Sequence, residues 1–408
     1  MQQDNIRKKV NILGDANVDM ILNLSDKQNL GEPSLFSGGS SANVASGLSK
    51  LGVEVSFFGS LGKDMYGKYV VDEMKADGID ISNLELLDNY STAMVIGVVE
   101  ENSERHLFLW PPEEGAHNQY TFGDKSKEDL LNCDWLHVSG ISLRFSPVKE
   151  TMLEAMRLCK ENNKTVSFDL NLRSELWGLS ESFKETVLEA VSLSTIVFGN
   201  LHEEFLLLFD ENEDNLDKNI SNKQMFICRN GDKGALGITK NDRVTSNAIP
   251  ISPVDSVGAG DAFNSGFIYA SCMEKDMKES LDTGNQVAAF KLLGSGARHL
   301  PTKELLEEFK SIKLEVATVT DVSSHPNAEK LYVLQLSTSS GRKQVVSGVA
   351  QYYKAEELKG LQVIFVKNLE SAELRGVKSE GMILAASNKK ELSLISVHKK
   401  IQEGSKVS

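Results

Sequence analysis

Over the first 310 residues, short apolar runs that end in polar, turn-forming residues alternate with amphipathic stretches. KVNIL (9–13) leads into the turn-rich GDANVD, a helix is predicted from about Ala42 to Leu51, and VEVSFFG (53–59) is strand-like. DWLHVSG, TVSFDLNLR, STIVFGN and KQMFICRNG each close an apolar run on polar residues. SPVKETMLEAMRLCKENN and LSESFKETVLEAVSLS carry helical spacing between them. Strands and helices alternating at this interval form βαβ units, so the expected fold class is α/β, a largely parallel sheet with helices on both faces. Ligands of such sheets bind beyond the carboxyl ends of the strands, where these polar turns fall. Residues 92–99 and 105–110, separated by ENSE, read as an antiparallel hairpin.

The pattern changes near residue 312. PTKELLEEFKSIK reads as a closing helix, followed by LEVATVTDV, LYVLQLST, RKQVVSGVA, LQVIFVKNL and GMILAAS. Five short strands with turns in roughly 90 residues predict a small β-barrel of the OB type. The expected organisation is two domains, 1–311 and 312–408, joined with no low-complexity linker.

Composition agrees with this division. A chain of 408 residues is more than one core usually organises. No stretch approaches the roughly 18 uninterrupted apolar residues of a membrane helix. The N-terminal segment has basic residues but runs straight into a strand, without a signal-peptide apolar region, which predicts a cytoplasmic protein with no membrane partner. Cys133, Cys159, Cys228 and Cys272 form no CxxC pair, so reduced thiols are expected rather than disulfides or a zinc site. The net charge of −14 is unevenly divided: residues 312–408 hold 14 Lys and Arg against 10 Asp and Glu, which leaves −18 on the first 311. A polyanion would therefore meet the C-terminal part.

The sharpest candidate for chemistry is PVDSVGAGDAFNSGF (253–267), where Asp255, Gly258, Ala259, Gly260 and Asp261 spell D-x-x-G-A-G-D ahead of an apolar helical run. Glycines before a helix let backbone N–H groups converge on an anion, and the helix N-terminus adds favourable partial charge. A carboxylate in the same turn can accept the proton of an attacking hydroxyl. Read alone, these residues also describe a glycine-containing helix cap. A second segment, LFSGGSSANVASGLSKLGVEVSFFGSLGKDMYG (35–67), places Gly38 and Gly39 before a helix that carries Asn43.

Together with GDANVDMIL, these segments resemble the ribokinase-like (PfkB) carbohydrate kinases over about residues 8–311. The resemblance implies a three-layer α/β/α sandwich with a small β lid, here about 92–117, over the sugar. It also implies transfer of the γ-phosphoryl of ATP, with Mg²⁺, to a hydroxyl of a sugar, sugar acid or nucleoside. Position by position, Asp261 matches the catalytic base, and Gly258, Ala259 and Gly260 match the backbone anion hole. Asn17, Asp19, Gly38, Gly39 and Asn43 match positions that hydrogen-bond sugar hydroxyls. Asn200-Leu201-His202-Glu203 resembles the N-x-x-E motif, in which Glu203 helps to place Mg²⁺ through water; without the family, Glu203 and Glu204 read as the first turn of an acidic helix. Gly231 and Gly234 match a nucleotide-side turn, Asn285 a position near the adenine, and Asp255 a residue near the monovalent-cation site of members that use K⁺. Arg173, in DLNLRSELW, matches an arginine that lies near the acid group or phosphates in keto-deoxygluconate and fructose kinases. The alternative for Arg173 is an ion pair with Asp169 that organises the loop. Three positions depart from the family. Ser40 and Ser139 stand where ribose-phosphorylating members carry lysine and glutamate, and Arg229 stands where the nucleotide-side turn opens with a small residue. The first two argue against ribose, and the third bears on the geometry of ATP binding. Lids of this family select the substrate and often pair subunits, so a homodimer through the lid, or through the barrel, is a further expectation.

HPNAEKLYVLQL (325–336), VVSGVA (345–350) and VKNLESAELRGVKSEGMILAAS (366–387) resemble the tRNA-binding domain appended to many methionyl-tRNA synthetases and some phenylalanyl-tRNA synthetase β chains. The resemblance covers about residues 312–390 and implies an OB barrel that recognises the shape and backbone of tRNA. Asn368, Arg375, Ser379 and Met382 match its RNA-contacting loop, and Lys330, Lys343 and Lys378 are phosphate contacts on physical grounds. Glu370 and Glu373 sit in the same loop, so a structural or dimerising barrel is the alternative. Three functions follow: an ATP-dependent sugar or sugar-acid kinase with a tRNA-binding module, a nucleoside kinase, or a tRNA-binding protein whose kinase-like body is a scaffold or sensor. The intact set of Asp261, anion hole, Asn200 and Glu203 favours catalysis.

Overall fold

The computed structural model describes residues 8–23, 33–99, 105–111, 114–251, 253–311, 313–387, 391–405 and 407. The chain divides into two compact units between Leu306 and Glu307. In chain order, the strands of the first unit are β1 (Lys9–Leu13), β2 (Asn17–Asn23), β3 (Ser34–Gly38), β4 (Glu54–Gly62), β5 (Asp80–Leu87), β6 (Met94–Val99) and β7 (Arg105–Trp110). There follow β8 (Trp135–Ser139), β9 (Thr165–Asp169), β10 (Ile196–Asn200), β11 (Met225–Arg229), β12 (Ala235–Ile238) and β13 (Arg243–Ser246). Nine of them form one sheet in the order β13-β12-β11-β10-β9-β8-β1-β4-β5. Its pairs are parallel except β11-β12 and β12-β13.

Successive strand residues point to opposite faces, and each face builds its own core. Ile12 and Phe198 join Val44, Met74, Phe263 and Phe267 of helices Ser40–Lys50, Met65–Ala76 and Ala259–Cys272. Leu13 and Val197 join Met152, Met156 and Val187 of helices Val148–Glu161 and Glu181–Leu193 on the other face. The result is the three-layer ribokinase-like sandwich. The order of connection reverses at β1, because the chain leaves it for β4 and β5 and returns through β8 on the other side. A crevice opens beyond the carboxyl ends of strands at such a reversal.

The lid is larger than the hairpin expected at 92–110. β6 and β7 are that hairpin, but the sheet is β3-β2-β6-β7, with β2 parallel to β6. GDANVD, read as a turn, therefore ends in a strand: Asn17 and Asp19 share one face of β2 while the buried Val18 occupies the other. Of the expected lid segment, residues 100–104 and 112–113 lie outside the described residues.

The second unit is a five-stranded antiparallel sheet of the OB type. Its strands β14 (Leu314–His325), β15 (Ala328–Thr338), β16 (Gly341–Ser347) and β17 (Gln362–Val366) are completed by Met382–Ile383, in the order β16-β15-β14-β17-(382–383). Ala317, Leu334, Leu336, Val345, Val363 and Phe365 fill its core. Among the described residues, no helix is long and apolar enough to cross a membrane. All four cysteines are buried free thiols.

The helix that carries Asp261 crosses helix Met277–Leu292 at Gly266, where a Cβ would stand 2.8 Å from the Thr283 carbonyl oxygen and 3.0 Å from Gly284 Cα. Gly266→Val should cost about 1–3 kcal/mol through overpacking, read as a lower Tm in calorimetry. An unchanged Tm would contradict the close crossing.

Candidate active site

Asp261 is the third residue of helix Ala259–Cys272, whose N-cap Gly258 has φ 77°. Only glycine fits there without cost, since a Cβ would also stand 2.6 Å from Ala297 Cβ. Gly260 and Asp261 occupy first-turn positions where N–H groups have no intrahelical carbonyl to bond. The Asp261 carboxylate accepts Ser40 Oγ–H on Oδ1 at 2.8 Å and Asn43 Nδ2–H on Oδ2 at 2.8 Å. Burial pushes this carboxyl up to about 7, against the pull of the Asn43 and Ser40 hydrogen bonds and with a further push from the charges of Asp169 and Asp15.

The donors to Asp261 are presented by the opposite wall. Helix Ser40–Lys50 begins after Gly39, whose φ of 97° and approach to Asp15 O (2.7 Å from a built Cβ) exclude a side chain. The buried Asp15 binds its first turn, accepting Ser40 N–H at 2.8 Å, Ser41 N–H at 3.0 Å and Ser41 Oγ–H at 2.8 Å. Gly38 leaves room for Asp19, whose carboxylate would lie 2.5 Å from a Cβ there. Asp19 accepts Asn17 Nδ2–H at 2.7 Å, and burial pushes its carboxyl up to about 6. The amide oxygen of Asn43 is buried without a hydrogen-bond partner among the described residues.

Ser40 and Ser139, the two departures on the sugar side, belong to one chain of bonds. Asn171 Nδ2–H donates to Ser139 Oγ at 3.0 Å, and Ser139 Oγ lies 3.4 Å from Ser40 Oγ, which donates to Asp261. Asp169 does not pair with Arg173, the alternative weighed for that arginine. Its carboxylate is taken by Arg229, with Nη2 2.7 Å from Oδ1 and Nη1 3.1 Å from Oδ2, and by Asn264 Nδ2–H at 2.8 Å. Arg173 is instead exposed, in the left-handed region (φ 47°), 3.8 Å from Glu175, and its charge is felt by Asp19. Arg298, which sequence reasoning missed, is a second cation felt by Asp19; its guanidinium is buried without a hydrogen-bond partner among the described residues.

The departure at Arg229 is resolved by its direction. The side chain turns from the end of β11 into the interior, donating also to Asn264 Oδ1 at 2.9 Å and to the Gly260 carbonyl at 3.3 Å. Glu204 completes the cluster, 3.6 Å from Arg229, and accepts Leu172 N–H and Asn200 N–H at 2.8 and 2.6 Å. The paired acidic residues after β10 thus separate. Glu204 is buried structure, while Glu203 is exposed beside it. Asn200 caps this turn, its Oδ1 accepting His202 and Glu203 N–H at 2.9 and 3.0 Å.

Gly231 and Gly234, expected at the nucleotide, take φ of 57° and 93°, and a Cβ at Gly234 would collide with the Ser246 carbonyl. Asn285 is buried and spends its amide hydrogens on Ser246 and Asn247, so it braces the end of β13. Asp255 accepts Val257 N–H at 3.0 Å and Gly296 N–H at 2.9 Å, with the Lys291 ammonium 3.9 Å away. A lone lysine in the apolar run AAFKLL was the only sequence signal for Lys291.

In the barrel, Lys330, Asn368, Arg375, Lys378 and Met382 are exposed, and Lys343 is half-buried. Lys343 and Lys378 share Glu380 at 3.9 and 3.5 Å, which offsets part of their charge. Ser379 is corrected: it is buried, accepting Val346 N–H at 3.1 Å and donating to the Gly381 carbonyl at 3.0 Å, so its hydroxyl holds the barrel together.

Residues 7–304 match the pfkB family of carbohydrate kinases, and residues 314–406 match a tRNA binding domain. A 5-dehydro-2-deoxygluconokinase of Clostridium botulinum is 30% identical over 293 residues, 69% of this chain and 85% of that protein. A fructokinase of Vibrio cholerae O395, solved with fructose, ADP and calcium, is 27% identical with a TM-score of 0.64 over 74% of this chain and 99% of its own. A double mutant of that fructokinase has been solved with potassium, with a TM-score of 0.63, 27% identity and coverage of 74% and 98%. The aminoimidazole riboside kinase of Salmonella enterica, with its riboside and an ATP analogue, is also 27% identical, with a TM-score of 0.61 and coverage of 74% and 99%. With its reversal-point crevice and glycine-rich helix N-terminus, the chain belongs to the pfkB family and is an ATP-dependent carbohydrate kinase.

Proposed function

We propose that this kinase phosphorylates a sugar acid of the dehydro-deoxygluconate type. The observation that carries the chemistry is the Asp261 carboxylate, desolvated and held between Ser40 and Asn43 at the glycine turn. A carboxyl near 7 is ionised often enough to act and basic enough to draw a proton from a bound hydroxyl. The oxygen so activated attacks the γ-phosphorus of ATP, the bond to the β-bridging oxygen breaks, and ADP leaves. The N–H groups of Gly260 and Asp261 receive the charge on the transferred group, while the Ala259 N–H, expected in the anion hole, donates to the Ser256 carbonyl at 3.2 Å. Asn17, Asp19 and the free amide oxygen of Asn43 hold the other hydroxyls. Glu203, exposed at the carboxyl end of β10, has the hard oxygen donors that suit Mg²⁺ through water, and the ion when bound would neutralise the β- and γ-phosphates.

The acid group of the substrate is assigned to Arg173, exposed and close enough to influence Asp19. The gluconokinase relative supports an acid, and the serines at 40 and 139 make a neutral floor beneath Asp261. Phe108 and Trp110, exposed on β7, give the lid an apolar surface through which two copies pair in this reading.

A steady-state panel of dehydro-deoxygluconates, fructose, ribose and nucleosides tests the assignment. The acids should give the highest kcat/KM. Arg173→Gln should raise their KM by about tenfold or more, the worth of a charged hydrogen bond, and leave fructose unaffected. Equal losses for acid and neutral sugars would remove Arg173 from recognition.

For the barrel we propose tRNA binding through Lys330, Lys343, Arg375 and Lys378, with Asn368 and the exposed Met382 beside them. Lys330→Glu with Arg375→Glu should weaken tRNA binding and reduce the slope of log affinity against log salt by about 2. An unchanged affinity in a filter-binding titration would exclude this face.

A further inference from the structure

Lys291 stands in the last turn of helix Met277–Leu292 with its side chain wholly buried. An ammonium taken out of water needs both charge and hydrogen bonds in exchange. Its Nζ donates to the Asp255 backbone carbonyl at 2.7 Å, and lies 3.5 Å from the Gly294 carbonyl and 3.9 Å from Asp255 Oδ2. Asp255 in turn ties two segments together, through Val257 N–H on one side and Gly296 N–H on the other. A backbone bond from Val254 N–H to the Leu292 carbonyl (2.8 Å) runs alongside, and Gly258 packs against Ala297. A buried positive centre thus sits among one carboxylate and carbonyl oxygens from two loops, directly behind the turn that presents residues 258–261.

Those oxygens are the donors a hard cation takes. The centre here is an ammonium tethered to the chain, and a second cation in the same oxygen set would be repelled by it at close range. The residues present therefore do not fit a bound K⁺. We propose that the Lys291 ammonium stands in for the monovalent cation, so that this kinase works without potassium. The proposal rests on reading residues 255–261 as the phosphoryl-transfer turn. Lys291 is a positioning residue: it fixes Asp255 and the backbone that leads to Gly258, and touches no reacting atom.

The test compares chloride salts of potassium, sodium and tetramethylammonium at constant ionic strength, with kinase rate and Tm as readouts. Wild type should give the same kcat/KM and the same Tm in all three. Lys291→Met keeps the volume and drops the charge. It should lose at least about tenfold in kcat/KM in tetramethylammonium, recover part of it in potassium, and gain a potassium-dependent Tm. A wild-type rate or Tm that rises saturably with potassium would overturn the proposal, as would a folded Lys291→Met with full rate in tetramethylammonium. If Lys291→Met does not fold, the wild-type salt series decides alone. The Tm series needs no turnover. Absence of kinase activity would thus count against the phosphoryl-transfer reading, and a potassium-dependent wild-type Tm against the role of Lys291.

Discussion

A half-buried guanidinium beneath the glycine turn is the constraint on which the site depends. Arg229 pairs with Asp169, lies 3.6 Å from Glu204 and reaches the carbonyl of Gly260, so the ends of β9 and β11, the turn after β10 and the helix that carries Asp261 converge on one side chain. Against the burial that pushes it up, this cation holds the Asp169 carboxyl below its ordinary range. Removing one partner of such a cluster strands an uncompensated charge, which is why it acts as a fixed reference for the backbone above it.

Three carboxylates near the crevice are separated by environment into three tasks. Asp15 is consumed by the first turn of helix Ser40–Lys50. Asp169 is ionised and paired. Asp261, whose donors Ser40 and Asn43 are neutral, is pushed toward neutrality by burial, as Asp19 is beside Asn17. The divergence follows a general rule: when environments push neighbouring acids apart, the acid left without a cation is the one able to exchange a proton at working pH. Lys291 gives Asp255 on the far side of the turn the cation that Asp261 lacks.

Much of this was legible in the sequence. Strand–helix alternation and polar strand ends gave the sheet and its crevice, and the spacing of Asp255, Gly258, Gly260 and Asp261 marked the turn that opens helix Ala259–Cys272. The change of texture at 312 marked the barrel. Two classes of feature were not legible. Strands β2 and β3 were hidden because Asn17 and Asp19 in the one and Ser34 and Ser37 in the other break the apolar run by which strands are recognised. Side-chain direction was hidden as well. Arg229 and Lys291 read as ordinary cations, and only three-dimensional packing turns one toward Asp169 and the other toward Asp255. Ser379 illustrates the converse, a hydroxyl expected to contact RNA that the fold spends on its own backbone.

The central claim is that a desolvated Asp261 takes the substrate proton. Its most direct test is the pH dependence of kcat/KM for wild type and Asp261→Asn, with ATP binding followed by calorimetry. The wild-type rate should climb with pH and level off above an apparent pKa near 7, the pH at which this carboxyl loses its proton. Asp261→Asn should still bind ATP but lose turnover by about 10² or more, together with that limb. A wild-type profile flat from pH 5 to 8, or a variant that keeps both rate and limb, would contradict it.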